Sequence, residues 1–121
     1  MTKAAIDQTK ALFSLTSRRL ETAETALGAA LRRLSALDAE VAALCIDRAR
    51  TAEAPSFAAI EPMRRMAALR IEEKRRERRI LVAESDALRD ETRQLLRQKI
   101  ALEAELAAAE EARRRRERNR P

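Results

Sequence analysis

Residues 53–63 read EAPSFAAIEPM. This stretch holds two of the chain's three prolines and one of its two phenylalanines. On either side lie about fifty residues with almost nothing that would stop a helix. Pro55 removes a backbone donor and pushes Ala54 out of the helical region. Ser56 can cap a short turn. Pro62, with Glu61 before it, suits the first position of a new helix. The stretch therefore predicts one break, near the middle of an otherwise helical chain.

Working outward, both flanks carry a seven-residue apolar repeat. In the first half Ile6, Phe13, Leu20, Leu27, Leu34 and Val41 form one row. Thr9, Thr16, Ala23, Ala30, Leu37 and Leu44 form its companion, three residues on. Together they make a coiled-coil seam of about six heptads. Gly28 interrupts it in composition but not in phase, so one continuous helix is expected. In the second half the row is Leu81, Leu88, Leu95, Leu102 and Ala109, with Ser85, Thr92, Lys99 and Leu106 as companions. Leu69, Ile71 and Ile80 add apolar positions upstream.

Folding the chain back on itself sets Leu34 against Leu81, Leu27 against Leu88, Leu20 against Leu95 and Phe13 against Leu102. All four pairs are equidistant from a point between Phe57 and Ala58, inside the break. The alternate layers pair Ala30 with Ser85, Ala23 with Thr92, and Leu44 with Ile71. The fold class expected is all-α: two long helices in an antiparallel coiled-coil hairpin, a thin rod in one domain over 1–121. The first helix covers about 3–53, the turn about 54–61, and the second helix about 62–117 with a basic C-terminal tail. The Ala and Ser/Thr layers, Lys99 opposite Thr16 and Arg78 opposite Leu37 dilute the seam. The hairpin should be marginally stable, gaining order from a partner or from a homodimer.

Composition agrees with this shape. Of 121 residues, 45% are hydrophobic and 38% charged, while aromatics make up only 2%. Such a chain favours long helices over a globule, because a helix need bury only one stripe. Histidine is absent, and the lone cysteine, Cys45, excludes an intrachain disulfide or a Cys/His zinc site. Cys45 falls beside the apolar stripe and reads as a small buried hydrophobe in a reducing compartment. Asp7 and Lys10 interrupt the run a signal peptide would need, and no window is apolar enough to span a bilayer. A cytoplasmic chain is expected.

No catalytic constellation is legible. There is no histidine base, tyrosine or glycine-rich phosphate loop, so neither an enzyme nor a cofactor is expected. Glu73 and Glu77 lie within three or four residues of Arg or Lys along their own helix. The net charge of +6 is unevenly placed. Residues 64–79 carry eight basic and three acidic groups; residues 80–112 carry four and eight; residues 113–120 carry six and one. No aromatic residue lies among the basic runs for base stacking, and Asn119 follows the coiled coil instead of preceding it. Both points weigh against nucleic-acid recognition. Phe57, Ile60, Met63 and Met66 cluster at or just past the turn. They read either as a cap on the closed end or as an adaptable docking tip.

An Ala/Arg/Glu-rich chain of this size, read as one long hairpin with a basic end, resembles the FliJ / YscO (SctO) family. These are central stalk proteins of flagellar and type III secretion export machines. The resemblance covers nearly the whole chain but lies in architecture and composition, with no short signature. It implies that the open end enters a hexameric export ATPase, and that the rest contacts the export gate and secretion chaperones, peripheral to the inner membrane. Arg113, Arg114, Arg115 and Arg116, with Ile6, Phe13, Leu102 and Leu106, would then lie at the ATPase end. Phe57, Ile60, Met63, Arg64, Arg65 and Met66 would lie toward the gate. The alternatives are a structural coiled-coil adaptor or dimeric spacer, and a basic nucleic-acid-associated protein.

Overall fold

The computed structural model describes residues 2–53 and 60–120, the side chains of 51–53 excepted. Two helices account for nearly all of them: α1, Lys3–Glu53, and α2, Ile60–Arg118. Two compact units can be recognised, and each contains part of both helices. One comprises Met1–Ala26 with Leu88–Pro121, the other Leu27–Ala87. Within each unit α1 and α2 pack antiparallel, the all-α hairpin that the heptad rows predict.

The start of α1 has a chemical cause. Thr2 Oγ1 accepts from the Ala5 N–H at 3.1 Å and the Thr2 carbonyl accepts from the Ile6 N–H at 3.0 Å, so Thr2 is the N-cap. The helix then passes through Gly28 without a positive φ. A Cβ on Gly28 would meet only the Arg32 guanidinium, at 3.4 Å, an ordinary contact. Glycine is thus needed for neither conformation nor space, and it costs the helix about 0.8–1 kcal/mol against alanine. Gly28→Ala should therefore raise the unfolding free energy by about 0.5–1 kcal/mol, read as a higher urea midpoint at unchanged slope.

α2 begins at Ile60, two residues ahead of the expected Pro62. Pro62 is tolerated there because N–H groups of the first turn have no intrahelical acceptor to lose. Glu61 lies in that turn, where a carboxylate suits the helix dipole.

In the unit Met1–Ala26/Leu88–Pro121 the core is Leu20, Ala23 and Leu95, packed together as the mirror register predicts. Thr9, Thr16 and Ala109 are buried too, with Ile6, Phe13, Leu102 and Leu106 half-buried along the same seam. Lys99 does not simply dilute it. Its Nζ sits 5.8 Å from the Phe13 ring centroid, so the cation rests against an aromatic face. Three of the seam's hydroxyls, those of Thr9, Ser85 and Thr92, are satisfied locally. Thr9 Oγ1 donates to the Ala5 carbonyl at 2.9 Å, and Thr92 Oγ1 to the Leu88 carbonyl at 2.7 Å.

Among the described residues of the unit Leu27–Ala87, Leu37 is fully buried, at 0% exposure. Ala30, Ile71 and Ser85 are buried with it, while Leu27, Leu34, Val41, Leu44 and Leu81 are half-buried. Ser85 Oγ donates to the Val82 carbonyl at 2.9 Å.

Three expectations are corrected here. Leu69 and Ile80 are 60% and 56% exposed and do not join the seam. Of the positions in phase upstream, Arg64, Ala67, Ile71 and Lys74 are buried or half-buried. The two cations can occupy them because a long aliphatic stem lies along apolar surface while its head reaches water. Cys45 is exposed, not buried. It follows Leu44 by one residue, a rotation of about 100° around the helix. Arg78, at the seam position opposite Leu37, is exposed as well and turns its Nε out to Asp38 Oδ1 at 2.7 Å.

Candidate functional site

Antiparallel pairing brings the start of α1 and the end of α2 into one unit, and together they form a cationic groove. Lys3, Ile6, Asp7 and Lys10 line it from α1; Arg113, Arg116, Glu117 and Arg120 line it from the other side, enclosing about 500 Å³. Half-buried Ile6 is its apolar element. Five cations face two carboxylates there. Arg113 Nε donates to Glu117 Oε1 at 3.4 Å, a long and exposed pair that leaves most of the positive field intact. Arg116 has no ion pair among the described residues.

The four arginines singled out by sequence separate in space. Arg113 and Arg116 share the groove with Lys3 and Lys10. Arg114 lines a smaller cleft of about 270 Å³ with Glu110, Arg113 and Glu117. Arg115 pairs with Glu111 at 3.4 Å, one turn back. The run is helical through Arg118, within a residue of the expected end of the second helix. Asn119 N–H donates to the Arg115 carbonyl at 3.1 Å, and cations in this last turn suit the negative end of the helix dipole. Lys3, Lys10 and Arg120 were not singled out by sequence, although the mirror register that pairs Phe13 with Leu102 also carries Lys3 and Lys10 to this end.

A second groove, of about 420 Å³, lies in the unit Leu27–Ala87. Leu44 and Ala67 provide its apolar floor, Met63 and Met66 stand at its wall, and Asp47, Arg48 and Arg70 give it a charged rim. Met63 and Met66 are 63% and 52% exposed. Of the other turn-side residues, Arg64 also lines the groove and donates to Glu61 Oε1 at 3.2 Å. Ile60 is half-buried, Arg65 is exposed, and neither lines it. Phe57 lies outside the described residues.

The same unit is clamped by ion pairs between the helices. Arg33 donates twice to the Glu77 carboxylate, Nε to Oε1 at 3.0 Å and Nη2 to Oε2 at 3.1 Å. Its Nη1 reaches Glu40 Oε1 at 3.3 Å, and Lys74 Nζ closes the chain onto Glu40 Oε2 at 2.8 Å. Glu77 thus pairs across to α1, not along its own helix as its spacing suggested. The hydrogen bond donated by Lys74 is the main cause that holds the Glu40 carboxyl below the ordinary glutamate value; the hydrogen bonds that Arg33 donates to Glu77 are the main cause that raises the Arg33 guanidinium.

These shifts fix a sign. A carboxyl whose folded pKa is depressed contributes stability that is complete above its unfolded pKa and lost as pH falls through the folded one. A raised arginine contributes fully at all pH below its ordinary value, so of these two groups only Glu40 contributes to an acid limb. Thermal melts of the wild type should lose stability between about pH 5 and pH 3, and Glu40→Gln should flatten that loss. An equally steep acid limb in the variant would assign it to other carboxylates.

Among the described residues no group of His, Cys, Asp or Glu could hold a metal ion, and no helix is long and apolar enough to cross a membrane. No family model, curated protein or solved structure matches the chain.

Proposed function

We propose that this chain is a non-enzymatic coupling protein, the stalk of a type III secretion or flagellar export apparatus, linking a hexameric export ATPase to the export gate. The observation that carries the reading is the cationic groove built from both ends of the chain. It offers a dense positive field to acidic groups on a ring. The methionine-walled groove supplies a second surface of different chemistry in the other unit, suited to an adaptable apolar partner. The identity of ring and gate comes from the family resemblance. In this reading the chain works in the cytoplasm beside the inner membrane, and the grooves select partners without chemistry of their own.

The test is direct. The purified full chain and the export ATPase of its own organism should associate at low salt, with ATP hydrolysis stimulated or the ring stabilised. Failure to bind and to activate would remove the stalk reading and leave a structural adaptor as the better account.

A further inference from the structure

The outward surface of α2 between Met63 and Ile80 is used by neither the seam nor the ion-pair clamp. It combines two features that rarely share a face. Met63, Met66, Leu69 and Ile80 are each more than half exposed. Arg65, Arg70 and Arg76 have no ion pair among the described residues, whereas Arg79 is held by Glu72 at 3.3 Å. Glu73 is the one carboxylate on this stretch without such a partner. Met63, Met66 and Leu69 follow one another at i, i+3, so they form a continuous apolar strip on the helix surface. Cations lie on both sides of it.

We propose that this face docks on the surface of an anionic lipid bilayer, with the arginines on headgroup phosphates and the Met/Leu strip at the acyl boundary. The proposal goes beyond the export reading and does not depend on it; Met63, Met66 and Arg70 also line the methionine-walled groove, so a bilayer and a partner in that groove would compete for them. Charge complementarity selects the occupant. A helix face carrying guanidinium groups beside long flexible apolar chains matches an interface where anionic headgroups overlie hydrocarbon. Arginine suits phosphate, since its planar fork binds two oxygens at once. Insertion of a spanning helix is not needed, because the contact is peripheral.

The experiment is flotation of the full chain with large vesicles, one set half phosphatidylglycerol and half phosphatidylcholine, the other phosphatidylcholine alone. Binding is expected at low salt on the anionic vesicles only, and should be lost at high salt. Each cation near such a surface is worth roughly fivefold in binding, so Arg70→Glu with Arg76→Glu should reduce it by at least about 25-fold. Glu73→Gln should tighten binding, and Met66→Ser with Leu69→Ser should weaken it several-fold. Circular dichroism checks that each variant retains wild-type helicity, which these exposed sites should allow. Binding to neither vesicle, or equally to both, overturns the proposal. So does binding that Arg113→Glu with Arg116→Glu abolishes while the Arg70/Arg76 variant keeps it, because the groove at the chain ends would then be responsible. Wild-type binding by the Met66/Leu69 variant would reduce the face to a plain polyanion site, for which an acidic protein is the better occupant.

Discussion

Leu37→Ala is expected to cost about 2–5 kcal/mol of unfolding free energy, the range for removing a fully buried leucine side chain. Leu37 is the largest fully buried side chain among the described residues, at 0% exposure in the unit Leu27–Ala87. Two elongated helices have little redundancy. Each buries one stripe, so a truncated leucine leaves a void that few neighbours can move to fill. Total stabilities of small domains are about 5–15 kcal/mol, which makes this single change a large fraction of the whole. Leu12→Ala is the matched control. Leu12 is 52% exposed on the same helix, and its truncation should change stability by no more than about 0.5 kcal/mol. Urea unfolding followed by circular dichroism measures both. Equal costs at the two positions would mean that the seam through Leu37 is misplaced.

The contrast between these two leucines shows what the sequence made legible. Residue type alone does not separate them; phase does. On α1 all twelve seam positions named from the heptads, Ile6 through Leu44, are buried or half-buried. The downstream row of α2 behaves the same way, from Leu81 to Ala109. The reading failed where apolar type was allowed to outweigh phase. Leu69 and Ile80 were counted because they are large and apolar, yet they face water, while Arg64 and Lys74 keep the repeat. A periodicity scored on hydrophobicity cannot see a cation whose stem packs and whose head escapes.

The candidate sites were legible only in part, for a related reason. The basic run at residues 113–116 was plain in one dimension. Its partition was not, because which arginines face Lys3 and Lys10 depends on the rotation of α2 about its axis. The clamp around Arg33 is long-range, with Glu77 separated from it by 44 residues. Local spacing favoured pairing along the helix, whereas the antiparallel register offered a bidentate acceptor across the interface. The hydroxyl layers also had a local solution. Thr9, Ser85 and Thr92 return their protons to carbonyls of their own helix, so polar seam positions need not be unsatisfied. Ser17 Oγ, one position off the seam, is enclosed without a hydrogen-bond partner among the described residues.

Reversing two charges in the cationic groove should produce the largest functional effect. Arg113→Glu with Arg116→Glu changes the local charge by four and leaves Lys3, Lys10 and Arg120 facing carboxylates from both helices. If the groove receives acidic groups of an export ATPase, attraction becomes repulsion, and like charges brought together at an interface cost several kcal/mol. Association at low salt should fall by about two orders of magnitude, and its salt dependence should reverse in sign, since salt then screens a repulsion instead of an attraction. The fold should survive. Arg113 loses only the exposed pair with Glu117 at 3.4 Å, and Arg116 has no ion pair to lose among the described residues. Acidic residues in a last turn oppose the helix dipole by about 0.3–1 kcal/mol each, which frays the end of α2 without reaching Leu95 or Leu20. Arg70→Glu with Arg76→Glu is the control, since it makes the same charge change in the other unit and should leave ATPase association intact. Calorimetric titration at two salt concentrations separates the outcomes. A groove variant that binds as tightly as the wild type, with an unchanged salt slope, would move the docking surface elsewhere on the hairpin. Loss of binding by both variants alike would mean that the ATPase responds to net charge and not to the groove.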